Sequence, residues 1–148
     1  KGEANQKGPQ ELEALGRQLI LEYYGCPAHL MNDRDFIEDV MVSAAKHMRA
    51  NIVSVDFHKF NPHGISGVVV ISESHLTIHT WPEFGYAAVD VFTCGQVIDP
   101  WEAHAFMKER FQAEKISAVE FRRGCFDVAP GTLPSVYGVE ASAEKSEK

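Results

Sequence analysis

Histidines, hydroxyls and a carboxylate converge in one short stretch near the middle of the chain. The polar triplet Ser72-Glu-Ser74 leads into an alternating run in which His75, Thr77 and His79 share one face of a strand. Histidine exchanges protons near neutral pH, and a serine hydroxyl is a nucleophile once a base activates it. The stretch could therefore do acid–base and nucleophilic chemistry, although the pattern is equally that of an ordinary hairpin with a solvated tip and one polar face.

A second polar face precedes this stretch. Residues 51–58 alternate, with Ser54, Asp56 and His58 on one side, and the same period places Phe60 among them. An aromatic ring on the less buried face is free to stack on a ligand, or to be covered by a helix or a partner subunit.

The motif around the triplet resembles one known family. Residues 71–83, read as Ile-Ser-Glu-Ser-His-Leu-Thr-Ile-His-Thr-Trp-Pro-Glu, together with residues 85–88 and 90–95 behind them, resemble the short prokaryotic S-adenosylmethionine decarboxylases, which are pyruvoyl enzymes. The resemblance runs from Leu15 to about Gly124. A motif this long and contiguous is far more specific than a lone short pattern.

The resemblance implies that the chain cuts itself between Glu73 and Ser74. The Ser74 hydroxyl attacks the Glu73 carbonyl, loss of the Ser74 α-proton expels the Glu73 carboxylate, and loss of ammonia leaves a pyruvoyl group at position 74. The family pattern assigns His79 as the proton acceptor in this processing, with Ser66 assisting through a hydrogen bond. The products are a chain of residues 1–73 and a chain that starts at position 74.

The same resemblance assigns the roles in turnover. The substrate amine forms a Schiff base with the pyruvoyl carbonyl, and Cys94 returns a proton after carbon dioxide leaves. Phe60 matches the position that stacks on adenine, and Glu83 matches the carboxylate that holds the ribose hydroxyls. Trp81 is expected to form a wall of the same pocket. The resemblance further implies a homodimer with sites at the interface, no metal ion, and a product that serves as aminopropyl donor for spermidine synthesis.

One departure from the family leaves alternatives open. Bacterial members carry histidine after Leu-Gly-Arg near the start of the domain, and this chain has Gln18 there. Glutamine cannot titrate, so substrate preference could differ. A pyruvoyl decarboxylase of ornithine or arginine, a non-catalytic regulatory subunit and a small-ligand-binding module are the competing hypotheses, and activation by putrescine stays open.

Hydrophobic periodicity and helix-capping residues predict the helices and strands that position these residues. They comprise a strand at 17–24, a helix with an apolar stripe from Phe36 to Met48 and a cap at Asn32 or Asp33, strands through the central motif, a helix from Pro100 to about Phe111, and a strand at 116–121. They predict an α+β fold, a two-layer sandwich with an antiparallel-rich sheet, two helices on one face and the order β-α-β-β-β-α-β. We expect residues 1–12 to be a flexible leader, 13–128 one domain and 129–148 an irregular tail.

Composition excludes several classes of function. The 148 residues include 21 acidic and 14 basic side chains, for a net charge of −7. No basic cluster offers a nucleic-acid surface. Cys26, Cys94 and Cys125 show no C-x-x-C spacing, which favours a reducing compartment and offers no zinc signature. No apolar run reaches membrane-spanning length, so we expect a cytoplasmic protein without membrane contact.

Overall fold

In the part of the chain that the structure describes, six antiparallel strands form a single sheet. The computed structural model of the protein describes residues 12–129 and 131–133. Its elements are β1 (Glu13–Tyr24), α1 (Ala28–Met31), α2 (Arg34–His47), β2 (Ile52–Lys59), β3 (Ile65–Ile71), β4 (Ser74–Trp81), a 3-10 turn (Pro82–Phe84), β5 (Tyr86–Cys94), α3 (Pro100–Phe111) and β6 (Lys115–Phe126). The strands lie in the order β2-β3-β4-β5-β1-β6.

Among the described residues, the main apolar core lies on one side of this sheet. Alternate residues of the strands pack against the buried faces of α2 and α3 in one apolar cluster, to which β1 contributes Leu19, Leu21 and Tyr23 and β4 contributes Leu76 and Ile78. Most of the residues between them stay partly or fully exposed, and no helix of the described residues covers that side. We call it the open face.

The two long helices begin where local chemistry predicts. The Asp33 carboxylate accepts a hydrogen bond from the Phe36 N–H at 3.0 Å and caps α2. The Asp99 carboxylate accepts one from the Trp101 N–H at 3.0 Å, and Pro100, which has no N–H to lose, occupies the first turn of α3. Both caps agree with the sequence prediction.

The predicted fold class is confirmed, with differences in detail. Four strands, not three, separate α2 from α3, because each arm of the central hairpin forms a strand of its own. Strands β1 and β6 are longer than predicted since they pair with each other from Glu13 opposite Phe126 to Tyr24 opposite Lys115. In β2 a register shift follows Ile52, and Val53 stays 64% exposed although Phe57 is buried.

Most of the predicted leader at 1–12 and of the predicted tail at 129–148 lies outside the described residues. Among the residues that the structure does describe, no helix is long and apolar enough to cross a membrane.

Candidate active site

Cross-strand pairing brings most of the predicted residues onto three neighbouring strands. Across β3 and β4, Ser66 lies opposite His79, and across β4 and β5, Ser74 lies opposite Thr93. His75, Thr77 and His79 project from β4 on the open face, as the alternation predicts, because successive side chains of a strand point to opposite faces.

The predicted scissile bond lies at the tight turn between β3 and β4. The Glu73 carbonyl oxygen accepts a hydrogen bond from the Cys94 backbone N–H at 2.7 Å. The Ser74 Oγ lies 3.0 Å from the Cys94 Sγ. Ser74 has φ = +138°, a region that residues with a side chain rarely adopt. The turn therefore presents a polarised carbonyl next to a strained serine and a thiol.

The Glu73 side chain anchors this turn. It is only 7% exposed, and its carboxylate accepts a hydrogen bond from the Asn51 N–H at 2.9 Å. The Asn51 carbonyl in turn accepts the Ser72 N–H at 2.8 Å. Since a buried carboxylate is stable only when it is hydrogen-bonded, the two contacts lock the turn to the segment before β2. The sequence analysis gave Glu73 no role beyond its peptide bond.

The predicted processing pair lies at the other end of β4. The Ser66 Oγ lies 2.7 Å from the His79 Nδ1, so the hydroxyl and the imidazole are hydrogen-bonded to each other. Ser74 and His79 are five residues apart on one regularly paired strand. At about 3.3 Å per residue they are separated by about 17 Å. One chain does not bring His79 to its own Ser74.

Two adjoining clefts flank the Ser66–His79 pair. A cleft of about 230 Å³ contains the three predicted substrate-binding residues, Phe60, Trp81 and Glu83. Within it the Glu83 carboxylate lies 2.9 Å from the His63 Nε2.

The second cleft, of about 290 Å³, is lined by Asp56 and His58 in addition to Ser66 and His79. The His58 ring meets Phe60 edge to face, with 4.5 Å between ring centroids. The polar face of β2 that the sequence predicts is therefore part of the same surface, next to Phe60.

Trp81 is a wall of the first cleft. Its ring is 40% exposed and stacks on Tyr86 at 5.3 Å between centroids. The Tyr86 hydroxyl donates a hydrogen bond to Glu22, and burial together with that contact raises the pKa of Tyr86. The indole ring therefore packs on Tyr86 while part of it stays exposed.

A carboxylate that the sequence analysis missed lies between the two ends of β4. Asp90 accepts hydrogen bonds from the Thr77 hydroxyl and from the Gln18 amide, the latter at 3.0 Å, and its carboxylate lies 2.9 Å from the His75 Nε2. Arg123 donates to the Gln18 side-chain oxygen at 2.8 Å. A charged residue inside the apolar strand 86–94 was the available signal. Gln18, the departure from the family pattern, thus belongs to this central network.

Groups of three or more His, Cys, Asp or Glu side chains that could hold a metal ion are not found among the residues described by the structure.

The solved structure and the protein sequences reported below, to which this chain is similar, are all of adenosylmethionine decarboxylases. The crystal structure of the adenosylmethionine decarboxylase from Aquifex aeolicus VF5 matches with a TM-score of 0.75 and 31% identity, over 79% of this chain and 97% of that chain. The S-adenosylmethionine decarboxylase proenzyme of Clostridium kluyveri is 56% identical over 116 residues, which are 78% of this chain and 92% of that protein. The proenzyme of Acetivibrio thermocellus is 55% identical over 116 residues, with 78% and 94% covered.

The fold and the site together define the class of this protein. It is a two-layer α+β protein with a strained serine in a tight turn of its sheet. The model of the S-adenosylmethionine decarboxylase family matches residues 17–124. The chain belongs to this family, which confirms the resemblance drawn from the central motif.

Proposed function

We propose that the protein is a self-processing decarboxylase that converts S-adenosylmethionine to its decarboxylated form, the aminopropyl donor for spermidine synthesis. One observation carries the proposal. In a chain that belongs to a family of decarboxylases, the carbonyl of Glu73 is held by the Cys94 N–H while Ser74, the next residue, is strained and lies against the Cys94 thiol.

Self-cleavage follows from these contacts. The Ser74 hydroxyl attacks the Glu73 carbonyl carbon, and the oxygen that gains negative charge already accepts the Cys94 N–H. The C–N bond breaks as the C–O bond forms, so the amide becomes an ester. A base removes the Ser74 α-proton and the Glu73 carboxylate leaves. Water then replaces the nitrogen of residue 74, which departs as ammonia.

The residues present fit the formation of a pyruvoyl group at position 74. A serine at φ = +138° costs about 1–3 kcal/mol of backbone strain. Breaking the peptide bond before Ser74 removes the constraint, so the strain favours cleavage. Once formed, the group supplies an electrophilic carbonyl that binds the substrate amine and accepts the electrons released as carbon dioxide leaves.

The proton acceptor comes from a second copy of the chain. A base must lie within hydrogen-bonding reach of the proton that it removes. His79 is about 17 Å along the same strand from Ser74. A two-fold homodimer that packs its open faces together sets Ser74 of one protomer against His79 and Ser66 of the partner subunit, and forms two equivalent sites. It also covers a sheet face that would otherwise stay uncovered.

The chain's own residues position the substrate. The Cys94 thiol beside position 74 donates the proton that replaces carbon dioxide on the substrate Cα. Phe60 and Trp81 offer aromatic faces to the adenine and to the positive sulfonium, and Glu83 accepts hydrogen bonds from the two ribose hydroxyls.

This pocket favours a nucleoside over free ornithine or arginine, because neither amino acid has a base to stack or a diol to bind. The coexistence of Ser74, His79 and Cys94 argues against a non-catalytic subunit. Three free thiols are compatible with work in the reducing cytoplasm.

The test is an intact mass measurement of the purified protein under denaturing conditions. We expect two chains that meet between Glu73 and Ser74, with the second blocked by a pyruvoyl group, and carbon dioxide release from S-adenosylmethionine. The Ser74→Ala variant is the matched control and should stay a single chain. A wild-type chain that stays whole on long incubation, or a cleaved Ser74→Ala chain, refutes the proposal.

A further inference from the structure

Thr93 carries a hydroxyl without a partner. The residue is fully buried. Among the buried side-chain oxygens and nitrogens of the described residues, its Oγ1 is the one that makes no hydrogen bond. The other two polar side chains that are buried among the described residues behave differently. Glu73 and Thr80 each accept a backbone N–H, at 2.9 Å in both cases. An unpaired buried hydroxyl is costly and calls for an explanation.

The position of Thr93 supplies one. It pairs directly with Ser74 across β4 and β5, and it immediately precedes Cys94. Directly opposed residues of an antiparallel pair have Cβ atoms about 4.5–5.5 Å apart. In a regular pleat the side chain of residue 74 would point to the core side of the sheet, as those of Leu76 and Thr93 do. Ser74 has a positive φ, however, and its hydroxyl contacts Cys94.

We propose that the Thr93 hydroxyl is a donor kept for the carbonyl that self-cleavage creates at position 74, and that it orients and polarises this carbonyl. The inference rests on the proposed function. Before cleavage, residue 74 has an amide N–H, which cannot accept the Thr93 proton, and the Thr93 hydroxyl oxygen accepts no hydrogen bond from it either. Processing replaces that nitrogen by an oxygen acceptor. It also frees residue 74 from the peptide bond that holds it at φ = +138°.

The proposal predicts that the same substitution acts differently before and after cleavage. Thr93→Val keeps the shape and removes the hydroxyl. In the uncleavable Ser74→Ala background it should leave the melting temperature unchanged or raise it, because the hydroxyl has no partner to lose there. In the cleaved protein it should lower the melting temperature. Thr80→Val in the Ser74→Ala background is the contrast, since Thr80 bonds both the Ile65 N–H and the Met31 carbonyl and its loss should destabilise.

Carbonyl reactivity gives a second readout that does not depend on turnover. Hydroxylamine adds its nitrogen to a ketone carbon, water leaves, and the oxime is detected by the mass of the chain that starts at position 74. We expect Thr93→Val to self-cleave normally and to form the oxime about tenfold more slowly, since one lost hydrogen bond to a polarised carbonyl corresponds to about that factor. Thr93→Ser keeps the hydroxyl and should restore the rate.

Three outcomes overturn the inference for Thr93 alone, given a wild-type protein that cleaves: an unchanged oxime rate in Thr93→Val, an equal change of melting temperature in both backgrounds, or a block of self-cleavage by Thr93→Val. A wild-type protein that never forms the carbonyl overturns the proposed function as well, so the two failures are distinguishable.

Discussion

At the scale of single residues, the site separates what backbone does from what side chains do. The Cys94 N–H holds the Glu73 carbonyl, whereas the Cys94 thiol contacts Ser74. One residue can thus serve processing through its backbone and turnover through its side chain.

Cys94→Ala tests this separation. It retains the N–H, so we expect self-cleavage at close to the wild-type rate, while carbon dioxide release falls about 100-fold or more because the proton donor is gone. Gel electrophoresis measures the first and a radiolabelled carboxylate the second. Full activity in the cleaved variant would show that the thiol has no part in turnover.

Glu73 allows a second prediction at this scale. Glu73→Ala leaves the Asn51 N–H without its acceptor and loosens the turn, and we expect cleavage to slow about tenfold. Glu73→Gln keeps a side-chain oxygen to accept that hydrogen and should cleave nearly as fast as wild type. The time course of two-chain product distinguishes them. Equal rates in all three proteins would mean that the carboxylate does not position the scissile bond.

At the scale of elements, α3 is attached to the sheet through a titratable contact. The Tyr23 hydroxyl lies 2.7 Å from the His104 Nδ1, and the two rings stack at 5.8 Å between centroids. Burial, with a smaller contribution from the positive charge of Lys108, lowers the pKa of His104 below its usual value. The folded protein therefore favours the neutral imidazole, which keeps its hydrogen bond with the Tyr23 hydroxyl.

The sign of the pH dependence follows from this shift. The unfolded chain binds a proton near the usual histidine pKa of about 6.5, and the folded chain binds it only at lower pH. This contribution to the free energy of unfolding is complete above the usual histidine pKa and is lost as the pH falls through the lowered pKa of His104 in the folded chain. We expect the urea midpoint to drop between neutral pH and pH of about 5. The drop should be smaller in His104→Gln, which cannot titrate, and an equal drop in both proteins would assign it to other groups.

At the scale of the whole molecule, the distance along β4 is the reason for proposing that two copies of the chain share each site. Co-expression of Ser74→Ala and His79→Ala chains tests this. We expect that neither variant cleaves alone, whereas in the proposed mixed dimer Ser74 of the His79→Ala chain lies against the intact His79 of its partner. With random pairing, about half of the His79→Ala chains should become cleaved. Differently tagged chains separate the products by mass. Absence of cleavage in the mixture, or cleavage of His79→Ala by itself, contradicts a shared site.

Much of this protein was predictable from local sequence. Asp33 and the pair Asp99-Pro100 mark the starts of both long helices because capping depends on a few adjacent residues. The alternation of His75, Thr77 and His79 predicted their shared face since the period of a strand is two. The central motif identified the family on its own.

Other features were decided only by pairing between distant parts of the chain. The Cys94 N–H contacts the Glu73 carbonyl, and the Asn51 N–H contacts the Glu73 carboxylate; the residues of each pair are 20 or more positions apart in the sequence. The Thr93 hydroxyl is unpaired because of the groups that surround it in the fold. Neither the composition nor the hydrophobic period of a sequence specifies the register in which its strands pair. A bulge or bend in β4 would have brought His79 nearer to Ser74. The unbroken pairing of β4 with both neighbours fixes their separation, so the fold itself divides the predicted site between two ends of one strand.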